Sequence, residues 1–274
     1  MMVEALVYFF VPALVGVLIG IASGLLGIGG GTVMVPIFRL AFGMSATMST
    51  ATSLFAIIPT SISGAISHVK GKTCIPALGI AAGLGGACLS PVGVWLAQLS
   101  PDWLVMFAAA LIIGYSAINM FKKAFKIPRA GQQAAEADAA APTADDSSLS
   151  RKQLLQGAAI GLVAGLASGY VGVGGGFIMV PLMLSIIGIP MRKASGTSLI
   201  AVMILAIPGV IEQGIIGNIN YLAGIAIVIG TIPGAVIGAR LVTKVPERTL
   251  RLLFGCFLIV AAVMLVLNEV GIFG

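Results

Sequence analysis

Two copies of one glycine-rich stretch constrain this chain more than any other feature. Residues 23–36 read SGLLGIGGGTVMVP and residues 168–181 read SGYVGVGGGFIMVP. Both lie in strongly apolar surroundings, where adjacent glycines weaken a helix and leave backbone N–H and C=O groups without helical partners. In lipid such a break persists only where protein buries it or where it lines a wet cavity. A duplicated break therefore points to a transport site at the interface of two repeats.

The two stretches belong to a longer duplication. A constant offset of 145 residues pairs Gly27 with Gly172, Pro36 with Pro181, and Thr52-Ser53-Leu54 with Thr197-Ser198-Leu199. It also pairs Gly16 with Gly161, Gly93 with Gly238 and Pro101 with Pro246. The register holds without a gap for about 110 residues, the mark of an internal repeat.

Composition places the repeats in a membrane. The chain is 59% hydrophobic and 9% charged, with a mean hydropathy of +1.13. Soluble domains carry about 25% charged residues. The apolar runs are continuous rather than alternating, so helices are expected and not a barrel. The net charge of +6 is the cytoplasmic Lys and Arg excess of a multi-pass protein. No basic stripe interleaved with aromatics is present, which excludes a nucleic-acid partner. The apolar start, with Glu4 and no basic region, reads as a first membrane helix rather than a signal peptide. Cys74, Cys88 and Cys256 have no metal or redox spacing and read as small buried hydrophobes.

In chain order, a helix over 5–26 meets the first break, and a run over 32–42 follows it. That run spans only about 16 Å, half a hydrocarbon core, so it reads as a half-helix or one arm of a hairpin. Long helices are expected over 47–67, 75–98 and 102–121. The expected fold is an all-α polytopic membrane protein with two inverted repeats. Each repeat is a glycine-broken helical hairpin plus three long transmembrane helices, making 8–10 membrane segments in all. Residues 1–121 form the first repeat and 152–274 the second. Residues 122–151, with the low-complexity run AGQQAAEADAAAPTADDSSLS, read as a cytoplasmic disordered linker.

Loop charges give the orientation. Lys70, Lys72 and the linker start with Lys122, Lys123, Lys126 and Arg129 fall on one side. In the second half Arg192 and Lys193 precede the first long helix, and residues 212–220 carry no Lys or Arg. Arg240, Lys244, Arg248 and Arg251 then return to the basic side. With basic loops cytoplasmic, each half crosses an odd number of times, the halves are inverted, and both termini are non-cytoplasmic.

The candidate substrate site comprises Gly29, Gly30, Gly31, Thr52 and Ser53, with Gly174, Gly175, Gly176, Thr197 and Ser198. Successive glycine N–H groups ahead of a helix favour an anion. The duplicated hydroxyls are neutral ligands for oxyanion oxygens, and Ser23 and Ser168 are further candidates. Arg39 either attracts the anion or snorkels to the interface. His68 and Gln213, with Ser67 and Glu212, lie near helix ends where water is expected. No nucleophile–base pair, metal-ligand spacing or phosphate loop is present, so neither enzyme activity, a metal nor a cofactor is expected. The glycine runs lack the preceding strand and later acidic residue of a dinucleotide site.

The GxxGxGGG…VP element at Gly27, Gly29, Gly30, Gly31, Pro36 and Gly172, Gly174, Gly175, Gly176, Pro181, with TSL downstream in both halves, resembles the TauE/SafE sulfite exporter family. The resemblance implies an inner-membrane carrier for sulfite, sulfonates or related organic acids. The linker matches no motif of that family. The expected partners are a small anionic substrate and the lipid bilayer, with the oligomeric state left open. An anion channel on the same scaffold and a non-transporting membrane assembly protein are the competing readings.

Overall fold

The computed structural model describes residues 2–125 and 150–269. Every regular element in it is helical. The first repeat runs α1 (Met2–Leu26), α2 (Gly31–Phe42), α3 (Ala46–Lys70), α4 (Pro76–Leu99) and α5 (Asp102–Phe125). The second runs α6 (Arg151–Val171), α7 (Gly176–Leu182, continued by a π-turn over Met183–Ile187), α8 (Met191–Ile216), α9 (Tyr221–Leu241) and α10 (Glu247–Glu269). Element for element, the second set restates the first. Among the described residues seven helices are long and apolar enough to cross a membrane, and 12–26, 31–42 and 176–187 are shorter apolar helices.

The ends of the elements repeat as well. Ser45 caps α3 through its side chain, and the start of α3 also donates from Ala46 N–H to Asp102 at 3.2 Å. Its equivalent, Met191 N–H at the start of α8, donates to Glu247 at 3.0 Å. A carboxylate at a helix N-terminus is favoured by the exposed donors and the dipole. The half-helices both stop at a left-handed glycine, Gly43 and Gly188.

Packing crosses between the repeats. α1 lies along α9, and α6 along α4, each pair in close contact through small residues. Gly161, Gly165 and Gly169 of α6 meet Ala82, Gly86 and Ser90 of α4 in the same order, so this pair is parallel. Gly16, Gly20 and Gly24 of α1 likewise climb α9 past Gly230, Thr231 and Ala235. Added Cβ atoms would strike facing backbone, so van der Waals contact between bare helix faces holds these pairs, as is usual in lipid. The equivalent helices α3 and α8 pack on each other in opposite senses. Leu54 faces Gly209 while Gly64, further along α3, faces Leu199, nearer the start of α8.

Two expectations need correction and one boundary shifts. The linker was placed from Lys122, but α5 continues through Phe125, because Lys122 and Lys123 propagate a helix as well as most residues. Residues 126–149, the bulk of the expected linker, lie outside the described residues. Cys88 and Cys256 are exposed rather than buried; on the outer faces of membrane helices a small apolar thiol meets lipid at no cost. His68 and Gln213 are not at a wet interface but almost fully buried, at 0% and 1% exposure.

Candidate functional site

The two glycine breaks meet in the interior. A Cβ on Gly176 would collide with the Gly27 carbonyl, and one on Gly31 would stand 2.5 Å from the Val173 carbonyl. Each break thus fits against the other only because these positions have no side chain. Gly29, Gly30, Gly174 and Gly175 all have φ between 67° and 87°. At Gly30 and Gly175 this left-handed residue is the N-cap from which α2 and α7 start. Ile57 of α3 and Val202 of α8, equivalent residues, fill the space in front of both breaks.

The copies differ in what they leave free. In the second, the Gly176 N–H is taken by the Gly174 carbonyl at 2.8 Å. In the first, the Gly31 N–H finds no acceptor among the described residues, and the N–H that follows, of Thr32 or Phe177, finds none in either copy. Buried hydroxyls gather beside that first break. Ser61 Oγ lies 3.4 Å from the Cβ direction of Gly29, and Ser23 Cβ lies 3.7 Å from that of Gly30. Both serines are fully buried, and neither hydroxyl has a hydrogen-bond partner. A buried, unpaired hydroxyl costs about 1–3 kcal/mol, so two beside unpaired N–H groups make a polar cluster suited to an acceptor-rich guest. Thr32 and Ser53 are buried and unpartnered too.

Thr52, Thr197 and Ser198 among the sequence-predicted hydroxyls have occupations. Thr52 Oγ1 accepts from Asn220 N–H at 3.0 Å, and Thr197 Oγ1 accepts from Ile75 N–H at 2.9 Å. Asn220 and Ile75 are the N-caps of α9 and α4. Each threonine therefore pins the start of a helix, one across the repeat boundary in each direction. The Ser198 hydroxyl stands 2.7 Å from the Gly27 carbonyl and 2.8 Å from the Ser195 carbonyl, joining α8 to the opposite break. Ser168 is buried and unpartnered. Arg39 pairs with Asp102 at 3.7 Å near the end of α2, so it serves the helix-end network rather than the breaks.

His68 extends the network. Its Nε2 is 2.8 Å from the Gly24 carbonyl, which can only accept, so that nitrogen carries the hydrogen. Nδ1 faces the Thr73 hydroxyl at 2.7 Å. The equivalent pair is Gln213 and Asn218, joined at 2.8 Å. His68 thus clamps α1 three residues before its break. Sequence reasoning missed Ser61 altogether. The readable signal was the spacing Ser53, Ile57, Ser61, which places three residues on one helix face.

A cleft of about 400 Å³ opens near the ends of α3 and α9, lined by Ser63, Ser67, Lys70, Thr73, Arg240 and Thr243 among others. It holds two cations, four hydroxyls and no carboxylate. The equivalents of Ser67, Lys70 and Arg240 in the other copy are Glu212, Ile215 and Trp95, so the cationic lining belongs to one end only. Among the described residues no cluster of His, Cys, Asp and Glu could hold a metal.

The sequence model of the family described as "Sulfite exporter TauE/SafE" matches residues 12–265. The probable membrane transporter protein YunE of Bacillus subtilis (strain 168) is 27% identical, covering 97% of this chain and 99% of its own. YdhB of the same organism is 28% identical over 87% of this chain and 92% of its own, and is also described as a probable membrane transporter protein. A probable membrane transporter protein of Haemophilus influenzae is 29% identical over 93% and 97%. No solved structure matches the chain.

Proposed function

This chain belongs to the sulfite exporter TauE/SafE family of multi-pass membrane proteins, and from that premise we propose that it is a secondary carrier for a small oxyanion such as sulfite or a sulfonate. One observation carries the reading. Unpaired N–H groups at the start of α2 and unpaired buried hydroxyls of Ser23 and Ser61 converge on the first glycine break. An oxyanion offers several acceptors and no donors, which is the complement of that set. Backbone N–H groups at a helix start favour negative charge, and neutral hydroxyls bind it without creating a tight ion pair.

In this account Gly29, Gly30 and Gly31, with Ser23, Ser53 and Ser61, form the anion site. Gly174, Gly175 and Gly176 form the facing wall, on which the first break rests. Thr52, Thr197 and Ser198 hold the two halves in register. The Lys70–Arg240 cleft gathers anions on the side where basic loops place the cytoplasm. The antiparallel packing of α3 against α8 favours inverted repeats, with each half free to tilt on the other. Ile57 and Val202 close the space before both breaks, which favours a carrier with an occluded centre over an open channel.

The site assignment is tested by thermal melting of purified protein against sulfite. A bound anion raises apparent stability by mass action. The wild type should gain a saturable shift in melting temperature, and Ser23→Ala with Ser61→Ala should move that shift to about tenfold higher sulfite. An unchanged shift in the folded double variant would place the anion elsewhere.

A further inference from the structure

A second hollow in the bundle shares no lining residue with the Lys70–Arg240 cleft. A cavity of about 830 Å³ opens between α4, α5, α6 and α7, within the range of about 300–1,000 Å³ that encloses a small organic ligand. Its wall is largely aliphatic, yet Tyr115, Ser116 and Asn119 of α5 line it together. Positions three and four apart share a helix face, so these groups form one polar strip. Among the described residues none of the three makes a side-chain hydrogen bond; Ser116 is 4% exposed, Asn119 half-buried and Tyr115, at the mouth, 69% exposed.

The depth makes this notable. By helical rise, Ser116 and Asn119 stand about 6 and about 10 Å past the middle of the 102–122 span. Both fall inside a hydrocarbon half-thickness of about 15 Å, where water does not satisfy polar groups.

The duplication supplies a control. The equivalents of Ala108, Tyr115, Ser116 and Asn119 on α10 are Leu253, Val260, Ala261 and Met264. One copy of the fold builds this place with apolar side chains alone. Folding therefore does not require the polar strip, and something else must use it.

We propose that the cavity binds a neutral single-chain lipid of the monoacylglycerol class. The acyl chain lies along the aliphatic wall, and the hydroxyl and ester oxygens hydrogen-bond to Asn119, Ser116 and Tyr115. The lining contains no Lys, Arg, His, Asp or Glu, and a charged headgroup at this depth would lack a counter-charge. An uncharged head with donors and acceptors matches the carboxamide and hydroxyls present.

The test uses the full chain in phosphatidylcholine nanodiscs with a photoreactive monoolein analogue. Labelling should map to residues 108–119 and 163–170 and be displaced by excess plain monoolein. Ala108→Leu with Asn119→Met, side chains the other repeat already carries, should cut it at least tenfold; Ser116→Ala should cut it several-fold and decides the matter alone if the pair misfolds. Labelling that resists displacement, persists in the folded variants, or is matched by photoreactive phosphatidylcholine at the same residues would mean bulk lipid filling and overturn the proposal.

Discussion

The Ser198 hydroxyl lies 2.7 Å from the Gly27 carbonyl, so a side chain of the second repeat closes on the break of the first. Its equivalent, Ser53, is buried and has no partner. The two serines occupy matching positions and do different things. Ser198 joins the halves, and Ser53 stays available. Replacing Ser198 with Ala should lower stability by about 1 kcal/mol, the usual worth of one neutral hydrogen bond. Half-saturation for the anion should move less than twofold. Ser53→Ala should reverse the pattern, with stability held and affinity reduced; parallel melting and transport curves check both.

Thr52 and Thr197 act as caps on helices of the opposite repeat. Losing a cap acceptor costs about 0.5–2 kcal/mol. Thr52→Val and Thr197→Val should each destabilise by that amount, and Ser replacements should restore it. Transport by the folded variants should keep the wild-type half-saturation. A large affinity loss in either Val variant with unchanged melting would make these threonines ligands instead.

Glycines facing a neighbouring backbone should tolerate nothing larger. At Gly161 a Cβ would run into the Ala82 carbonyl, whereas around Gly114 there is nothing within 4 Å. Gly161→Ala should separate α6 from α4 and lose most folded protein. Gly114→Ala should be neutral or stabilising by up to about 1 kcal/mol, since alanine is the better helix former. Fluorescence-detected gel filtration of the two variants reads the difference.

Much of this architecture was legible because duplication made each feature appear twice. The 145-residue register located the breaks, the half-helices and the matching helix starts. Pattern reading also put the candidate hydroxyls near the interface between halves. What it could not show was which partners each hydroxyl finds. Thr52 and Ser53 are neighbours in sequence, yet one meets the Asn220 N–H and the other meets no partner. Divergence between copies was hidden for the same reason, since Gly31 and Gly176 are identical residues whose N–H groups differ only in local turn geometry. His68 was misplaced because a histidine near a helix end was assumed to be wet. Here the end of α3 is covered by α1 and α8, and the ring is held by Gly24 and Thr73.

The cationic cleft makes a salt-dependent prediction. Lys70→Gln with Arg240→Gln should raise half-saturation severalfold for anion presented on the basic-loop side and leave maximal flux near normal. The effect should fade as ionic strength rises, because exposed charges are screened beyond about 8–10 Å at 0.1–0.15 M salt. Uptake into vesicles of known orientation measures it.

The central claim is carrier-type movement of an oxyanion through the first break, and counterflow in proteoliposomes tests it most directly. Vesicles preloaded with sulfite should accumulate external labelled sulfite transiently, saturably, and faster than empty vesicles. Ser23→Ala with Ser61→Ala should reduce that rate by about tenfold, as loss of roughly 1.4 kcal/mol of anion binding would. Flux that neither saturates nor responds to preloading, or that is unchanged in the folded double variant, would contradict the account.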